Sequence, residues 1–182
     1  SNLIKVRDAK TQGGFPLKGK VMNTIGMSPN DIVRNEEISS LLTILGLEFG
    51  KEAKSLNYDY VGILTDADVD GSHIATLLIG LFSHWPELFK NGKIKFYSAP
   101  LMIAKKGKQE KLLYSLDEIA NENLKGWKTS YLKGLGALNE NIYEKVINQI
   151  PETIDWDENT ENSIKIALDG DFIDERKTWL LD

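Results

Sequence analysis

Tyr60-Val61-Gly62-Ile63-Leu64-Thr65-Asp66-Ala67-Asp68-Val69-Asp70-Gly71-Ser72-His73 is an apolar run that stops at three carboxylates spaced by two. Val61 to Leu64 predicts a buried strand, of the near-continuous apolar kind found in parallel sheets. Gly71 permits a tight turn, and Ser72 offers a cap to a helix starting near His73. Asp66, Asp68 and Asp70 are thereby placed where a strand ends and a helix begins, the position at which open α/β sheets bind ligands. Three anions at this spacing repel one another in a partly dry site. A cation resolves that conflict, and hard carboxylate oxygens suit Mg²⁺, Mn²⁺ or Ca²⁺.

Two familiar spellings compete for the same residues. An EF-hand loop counted from Asp66 needs oxygen ligands at its ninth and twelfth positions, where this chain has Ile74 and Leu77. That reading fails. A haloacid-dehalogenase-like phosphatase would use Asp66 as nucleophile and Asp68 as acid/base. It also needs a later lysine and paired acids, for which Lys133 and Asp169 with Asp171 are the candidates. The plainest alternative is an acidic turn that only terminates a strand.

Composition bounds the function. The 182 residues are enough for one domain, or one with an appendage. Hydrophobic residues make up 41% and charged residues 27%, ordinary values for a globular chain. No run is long enough to span a membrane and no secretory signal is visible. Cysteine is absent, which excludes disulfides and thiolate metal sites and fits a cytoplasmic protein. His73 and His84 are the two histidines, too few for a histidine-based zinc site. The net charge of −5 argues against a free-standing nucleic-acid binder, but the charge is unevenly spread. Lys5, Arg7, Lys10, Lys18 and Lys20 face Asp8 alone, and the stretch from Lys90 to Lys111 holds seven lysines against Glu110. After Pro151 ten acids face Lys165, Arg176 and Lys177. Two basic segments and an acidic tail suit DNA contact and protein docking respectively.

Along the chain, Ser1-Asn2 reads as a vector-derived remnant. Residues 3–22 read as a basic loop ending in a short strand at Phe15-Pro16-Leu17-Lys18-Gly19-Lys20. An amphipathic helix runs from Asn35 to Leu47, with Ile38, Leu41, Leu42 and Leu45 at helical spacing. Ile74 to Leu81 is apolar all round and predicts a buried helix, ended by Trp85-Pro86. Lys93 to Ala104 alternates as a strand, with Pro100 marking an edge or bend. Lys105-Lys106-Gly107-Lys108 is a hairpin turn with a return strand at Lys111 to Tyr114. Ser115 caps a short helix, Thr129 to Lys133 is a strand closed by Gly134-Leu135-Gly136, and Asn139 to Gln149 is a helix. Helices are expected near 163–168 and 173–181. The whole predicts an α/β fold with a mainly parallel sheet flanked by helices, a small hairpin and an acidic helical C-terminal tail. Its expected divisions are a basic lead-in at 1–22, a core at 23–136 and C-terminal helices with the acidic tail at 137–182.

Five segments, taken in order, resemble type IIA DNA topoisomerases. Phe15 to Asn23 resembles their P-L-[RK]-G-K-x-L-N stretch. Ile63 to Ile74 resembles their metal-binding acidic motif. Trp85-Pro86-Glu87-Leu88-Phe89 through Pro100-Leu101 follows at the family's distance. Tyr131-Leu132-Lys133-Gly134-Leu135-Gly136 resembles the K-G-L-G element, and Leu168-Asp169-Gly170-Asp171 with Glu175-Arg176 resembles the closing segment. Together they cover nearly the whole chain and mark it as similar to a Toprim region. The spellings Gly-Gly-Phe-Pro-Leu-Lys-Gly-Lys and Ser-His-Trp-Pro-Glu-Leu-Phe resemble the T4-like bacteriophage enzymes more than bacterial gyrase.

The resemblance implies a role in ATP-driven passage of double-stranded DNA. A tyrosine on a partner chain or domain would attack a DNA phosphate, and ATP would be hydrolysed by an ATPase portion outside this sequence. The family's Glu-Gly-Asp-Ser segment, whose glutamate completes the metal site, and its first strand would precede Leu3. The catalytic glutamate and tyrosine are therefore expected elsewhere, and this stretch alone is expected to be inactive. Asp66 and Asp68 are the implied Mg²⁺ ligands, with Asp70 a weaker or outer one. Lys18, Lys20 and Lys133 are implied phosphate contacts. His73 either approaches phosphate or caps and packs its helix. Arg176 is either functional or structural, pairing with Asp171 or Asp174. Trp85 and Trp179 read as core or interface, and the six tyrosines as packing or surface residues. The host-cell cytoplasm would be the location if phage-encoded. A Toprim nuclease or primase-like enzyme shares the acidic motif and stands as the alternative, beside the phosphatase and a non-enzymatic scaffold that docks a partner through its acidic tail.

Overall fold

The computed structural model describes residues 2–181. In chain order its elements are α1 (Asn2–Val6), α2 (Pro29–Val33), α3 (Glu36–Leu45), β1 (Val61–Leu64), α4 (Val69–Phe82), α5 (Pro86–Lys90), β2 (Ile94–Tyr97), β3 (Met102–Lys106), β4 (Gln109–Leu113), α6 (Leu116–Asn121), β5 (Lys128–Tyr131), α7 (Glu140–Ile147), β6 (Glu152–Thr153), α8 (Thr160–Leu168) and α9 (Ile173–Trp179). They form two compact units, each assembled from three stretches of chain.

The first unit comprises Ser1–Pro16, Leu64–His73 and Phe96–Glu152. Its sheet has the order β4-β3-β5 and is antiparallel at both pairings, with Met102 opposite Leu113 on one side and Tyr131 on the other. The β3–β4 connection is the two-residue Gly107-Lys108, flanked by the Lys106–Gln109 pair. Gly107 has φ +60, as the first central position of a type II′ hairpin turn requires. Behind the sheet lie Ile103, Leu138, Ile142, Tyr143 and Val146, joined by the partly buried Leu3, Val6, Leu64, Leu112, Leu132 and Leu135. Ile142, Tyr143 and Val146 share one face of α7, whose first turn is capped by the Asn139 side chain accepting from the Ile142 N–H. Helix α1 packs on α7. The Asn2 side chain donates to the Leu138 carbonyl at 2.9 Å, and Lys5 meets Glu140 at 3.0 Å. Asn2 thus belongs to the fold, and residues 2–6 form a helix in place of the expected loop.

The second unit comprises Leu17–Ile63, Ile74–Lys95 and Thr153–Asp182. Its sheet has the order β1-β2-β6; the Val61 N–H donates to the Lys93 carbonyl and the Ile154 N–H to the Ile94 carbonyl. Ile32, Leu81, Phe82, Trp85, Leu88, Phe89 and Ile94 are almost fully buried. Helix α3 is delimited as its sequence suggests. Asn35 caps its start, and Gly46 at φ +76 ends it, with the Leu47 N–H returning to the Leu42 carbonyl. Phe49 packs at a tilt 4.8 Å from Trp85 and edge-on at 5.2 Å from His84, whose Nε2 lies 3.2 Å from the buried Thr24 hydroxyl. A Cβ on Gly80 would meet Leu168 Cδ1 at 2.5 Å, so glycine allows α4 and α8 to approach closely.

Several local expectations are corrected. Phe15 to Lys20 is irregular rather than a strand. The run from Lys93 to Ala104 is two strands in different sheets, divided around Pro100. Pro86 does more than stop a helix: it occupies the first turn of α5, where a missing N–H costs nothing. Helix α4 begins at Val69, before the Gly71-Ser72 pair expected to precede it. Arg176 is structural, but its acceptors are the carbonyls of Ile166 and Asp169, each at 2.7 Å, rather than Asp171 or Asp174. It joins the end of α8 to α9.

Candidate metal and DNA-contact site

Asp66 and Asp68 follow β1 in the chain and belong to the first unit. Thr65 is buried, and its hydroxyl has no hydrogen-bond partner among the described residues. One Asp66 oxygen accepts from the Leu135 N–H at 2.5 Å. Leu135 opens a short 3-10 turn, Leu135–Ala137, preceded by Gly134 at φ 76, ψ 174. That conformation is essentially restricted to glycine. A Cβ there would also stand 3.0 Å from the Asp66 carboxyl carbon. Gly134 therefore supplies both the backbone shape and the space that let the carboxylate settle on the loop.

Asp68 does different work. Its carboxylate accepts from the Gly71 N–H at 2.8 Å, and its carbonyl accepts from the Ser72 N–H at 3.0 Å. This closes the N-terminus of α4, the role expected of Ser72. Gly71 sits inside the first turn because a Cβ would collide with the Asp66 backbone. Asp70 also lies in that first turn, where a carboxylate complements the helix dipole.

Asp66, Asp68 and Lys133 line one cleft of about 370 Å³, together with Pro100, Leu132 and Gly134. Three of the residues singled out in the sequence therefore converge, and Asp70 and His73 are not in the lining. His73 is exposed and is the fifth residue of α4, past the capping position. Lys18 and Lys20 are exposed in the second unit, where the Lys18 N–H donates to Glu37 at 2.9 Å. Asp169 and Asp171 also belong to the second unit; Asp169 caps a 3-10 turn by accepting from the Asp171 N–H.

Two neighbours of the cleft carry no signal in the sequence. The Leu135 N–H is a backbone group, legible only as part of the K-G-L-G spelling. Tyr143 is buried, and burial, followed by the negative charge of Asp66, pushes its phenol above the usual range. No group of three or more His, Asp or Glu among the described residues is arranged to hold a metal ion. The cleft does offer two hard carboxylates. Each has one oxygen held by a backbone N–H and a second oxygen available, a donor set that fits Mg²⁺ with water completing its shell.

A family model described as the Toprim domain matches residues 1–99. The chain belongs to the Toprim domain family. Its relatives narrow this to the Toprim domain of type II DNA topoisomerases. DNA topoisomerase 2-beta of Gallus gallus is 37% identical over 92% of this chain and 11% of its own length. The putative mitochondrial DNA topoisomerase 2 of Caenorhabditis elegans is 35% identical over 97% of this chain and 16% of its own. Among solved structures, the DNA-binding, cleavage and re-ligation domain of Plasmodium falciparum topoisomerase II superposes with a TM-score of 0.80 at 34% identity, covering 91% of this chain and 25% of that one. The chain spans about a ninth to a sixth of the length of these curated relatives.

Proposed function

We propose that this chain is the metal-carrying Toprim segment of an ATP-dependent type II DNA topoisomerase. It supports double-strand cleavage and religation by a tyrosine elsewhere in the assembled enzyme. The observation that carries this reading is the convergence of Asp66, Asp68 and Lys133 on one cleft. Asp66 and Asp68 would hold Mg²⁺, and a bound metal supplies charge stabilisation for the scissile phosphate and the departing 3′ oxygen. Leu135 fixes the direction of Asp66, so the carboxylate is oriented before any ligand arrives. Asp68 is oriented by the helix start that it caps. Lys133, exposed at the rim, neutralises a backbone phosphate and positions DNA without reading its sequence. Lys18 and Lys20 serve as further phosphate contacts, and His73 and Asp70 act from the first turns of α4.

Double-stranded DNA, an ATPase portion and a tyrosine-bearing portion are the partners of this reading. The finer assignment to a T4-like phage enzyme rests on the Gly13 to Lys20 and Ser83 to Phe89 spellings, and it implies the host-cell cytoplasm as the location. The test is plasmid cleavage by the assembled enzyme carrying Asp66→Ala or Asp68→Ala. Removing a metal ligand should cost several kcal/mol of transition-state stabilisation, and wild-type cleavage by both variants would sink the proposal.

A further inference from the structure

The far end of the β4-β3-β5 sheet from the cleft is a lysine cluster. The registers place Lys105 beside both Lys128 and Glu110, and Lys106 beside Gln109 at the hairpin turn. A Cβ on Gly126 would lie 3.8 Å from the Lys106 ammonium, so the segment leading into β5 reaches the same tip. Lys105, Lys106, Lys108, Lys125 and Lys128 are all exposed. Glu110 is the acid at this tip and is bound twice, by Lys145 at 2.7 Å and Lys105 at 3.1 Å. Glu122 is closed by Lys111 at 2.9 Å. Lys106, Lys108, Lys125 and Lys128 have no carboxylate partner among the described residues.

An acid-free segment joins this tip to the cleft. From Lys125 to Lys133 the sequence Lys-Gly-Trp-Lys-Thr-Ser-Tyr-Leu-Lys contains no acid. All four residues of β5 are exposed; Lys128 and Ser130 share one face of the sheet with Lys105, and Thr129 and Tyr131 share the other with Lys106. Lys128 opens β5, and Lys133 follows its end by two residues. Cations and hydroxyls without neighbouring carboxylates suit a polyanion, and hydroxyls as well as lysines contact phosphate.

We infer that β5 and the β3–β4 turn form a second DNA-backbone contact, a track that carries the duplex away from the metal cleft to Lys106, Lys108 and Lys128. The inference rests on the proposed topoisomerase reading for the nature of its ligand, and it adds a surface that the cleft residues do not include.

The test is the salt dependence of binding of a fluorescent duplex to the 182-residue chain, compared among wild type, Lys106→Ala/Lys108→Ala/Lys128→Ala, the same triple to arginine, and Lys133→Ala. The alanine triple should lower the slope of log affinity against log salt by roughly two to three units, one for each lost phosphate contact. The arginine triple should retain the slope, and Lys133→Ala should lower it by about one unit. An unchanged slope in the alanine triple overturns the track; if Lys133→Ala still lowers it, the cleft reading survives alone. A loss in the triple with none in Lys133→Ala supports the track and counts against the cleft. Polyglutamate displacing the duplex at equal charge concentration would overturn the assignment to DNA in favour of an acidic protein.

Discussion

The Asp66 carboxylate is held by the Leu135 backbone N–H across 69 positions of sequence. The same loop presents Lys133 to the cleft. The K-G-L-G element thus has two separable parts, a side chain facing solvent and a backbone facing the carboxylate.

Gly134→Ala tests the backbone part. The glycine-only dihedrals and the 3.0 Å approach to Asp66 predict a stability loss of roughly 1–3 kcal/mol. Displacing Asp66 should also weaken Mn²⁺ binding on the order of 10–100-fold. Urea unfolding and calorimetric titration measure the two effects. Lys133→Ala should leave both nearly unchanged, and equal effects from the two substitutions would refute the division.

Asp68→Ala should destabilise the chain, because removing a helix cap costs about 1 kcal/mol. Relief of carboxylate repulsion acts in the opposite direction, but Asp66 is already satisfied by Leu135 and gains little. Asp70→Ala should be milder in metal binding. Thermal unfolding in EDTA isolates the capping loss from any metal effect, and a Tm at or above wild type for Asp68→Ala would count against the capping role.

Stability should fall as pH drops below the ordinary imidazole range, and His84 should account for part of the fall. Burial, partly offset by the Thr24 hydrogen bond, lowers its pKa from the usual 6.5. Between the lowered folded value and 6.5 the unfolded chain binds more protons than the folded one. The contribution is therefore complete above the unfolded value and declines as pH falls toward the folded value. Denaturant midpoints across that window should slope less for His84→Gln than for wild type.

Arg176→Lys should loosen the α8–α9 junction. The guanidinium bridges two carbonyls 2.7 Å away, a fork that an ammonium cannot reproduce. Charged hydrogen bonds of this kind are each worth about 1.5–3 kcal/mol at most. Faster amide exchange across residues 164–180, with little change around β3, is the expected readout.

The sequence made periodic and punctuated segments readable. Helix α3 announces itself by Asn35, its leucine spacing and Gly46, and the hairpin by Gly107 between alternating strands. Asp66, Asp68 and Lys133 were also legible, as carboxylates at a strand end and a lysine beside glycines. What escaped depends on distant partners. Helix α1 is short and is held by Leu138, Glu140 and packing on α7. Gly71 looked like a turn residue, whereas the demand on it is steric and comes from the Asp66 backbone. Leu135 has an apolar side chain, so its backbone role leaves no trace in residue type.

The unit that contains the cleft is drawn from three stretches of chain, Ser1–Pro16, Leu64–His73 and Phe96–Glu152. No contiguous excerpt shorter than residues 1–152 contains it. Recombination, intein splitting or protease nicking inside 17–63 or 74–95 would sever this unit even though those segments supply none of its residues. The cleft is inherited as an interleaved whole, and tolerated insertions should gather at the surface turns of those excursions while their lengths stay bounded by the need to return.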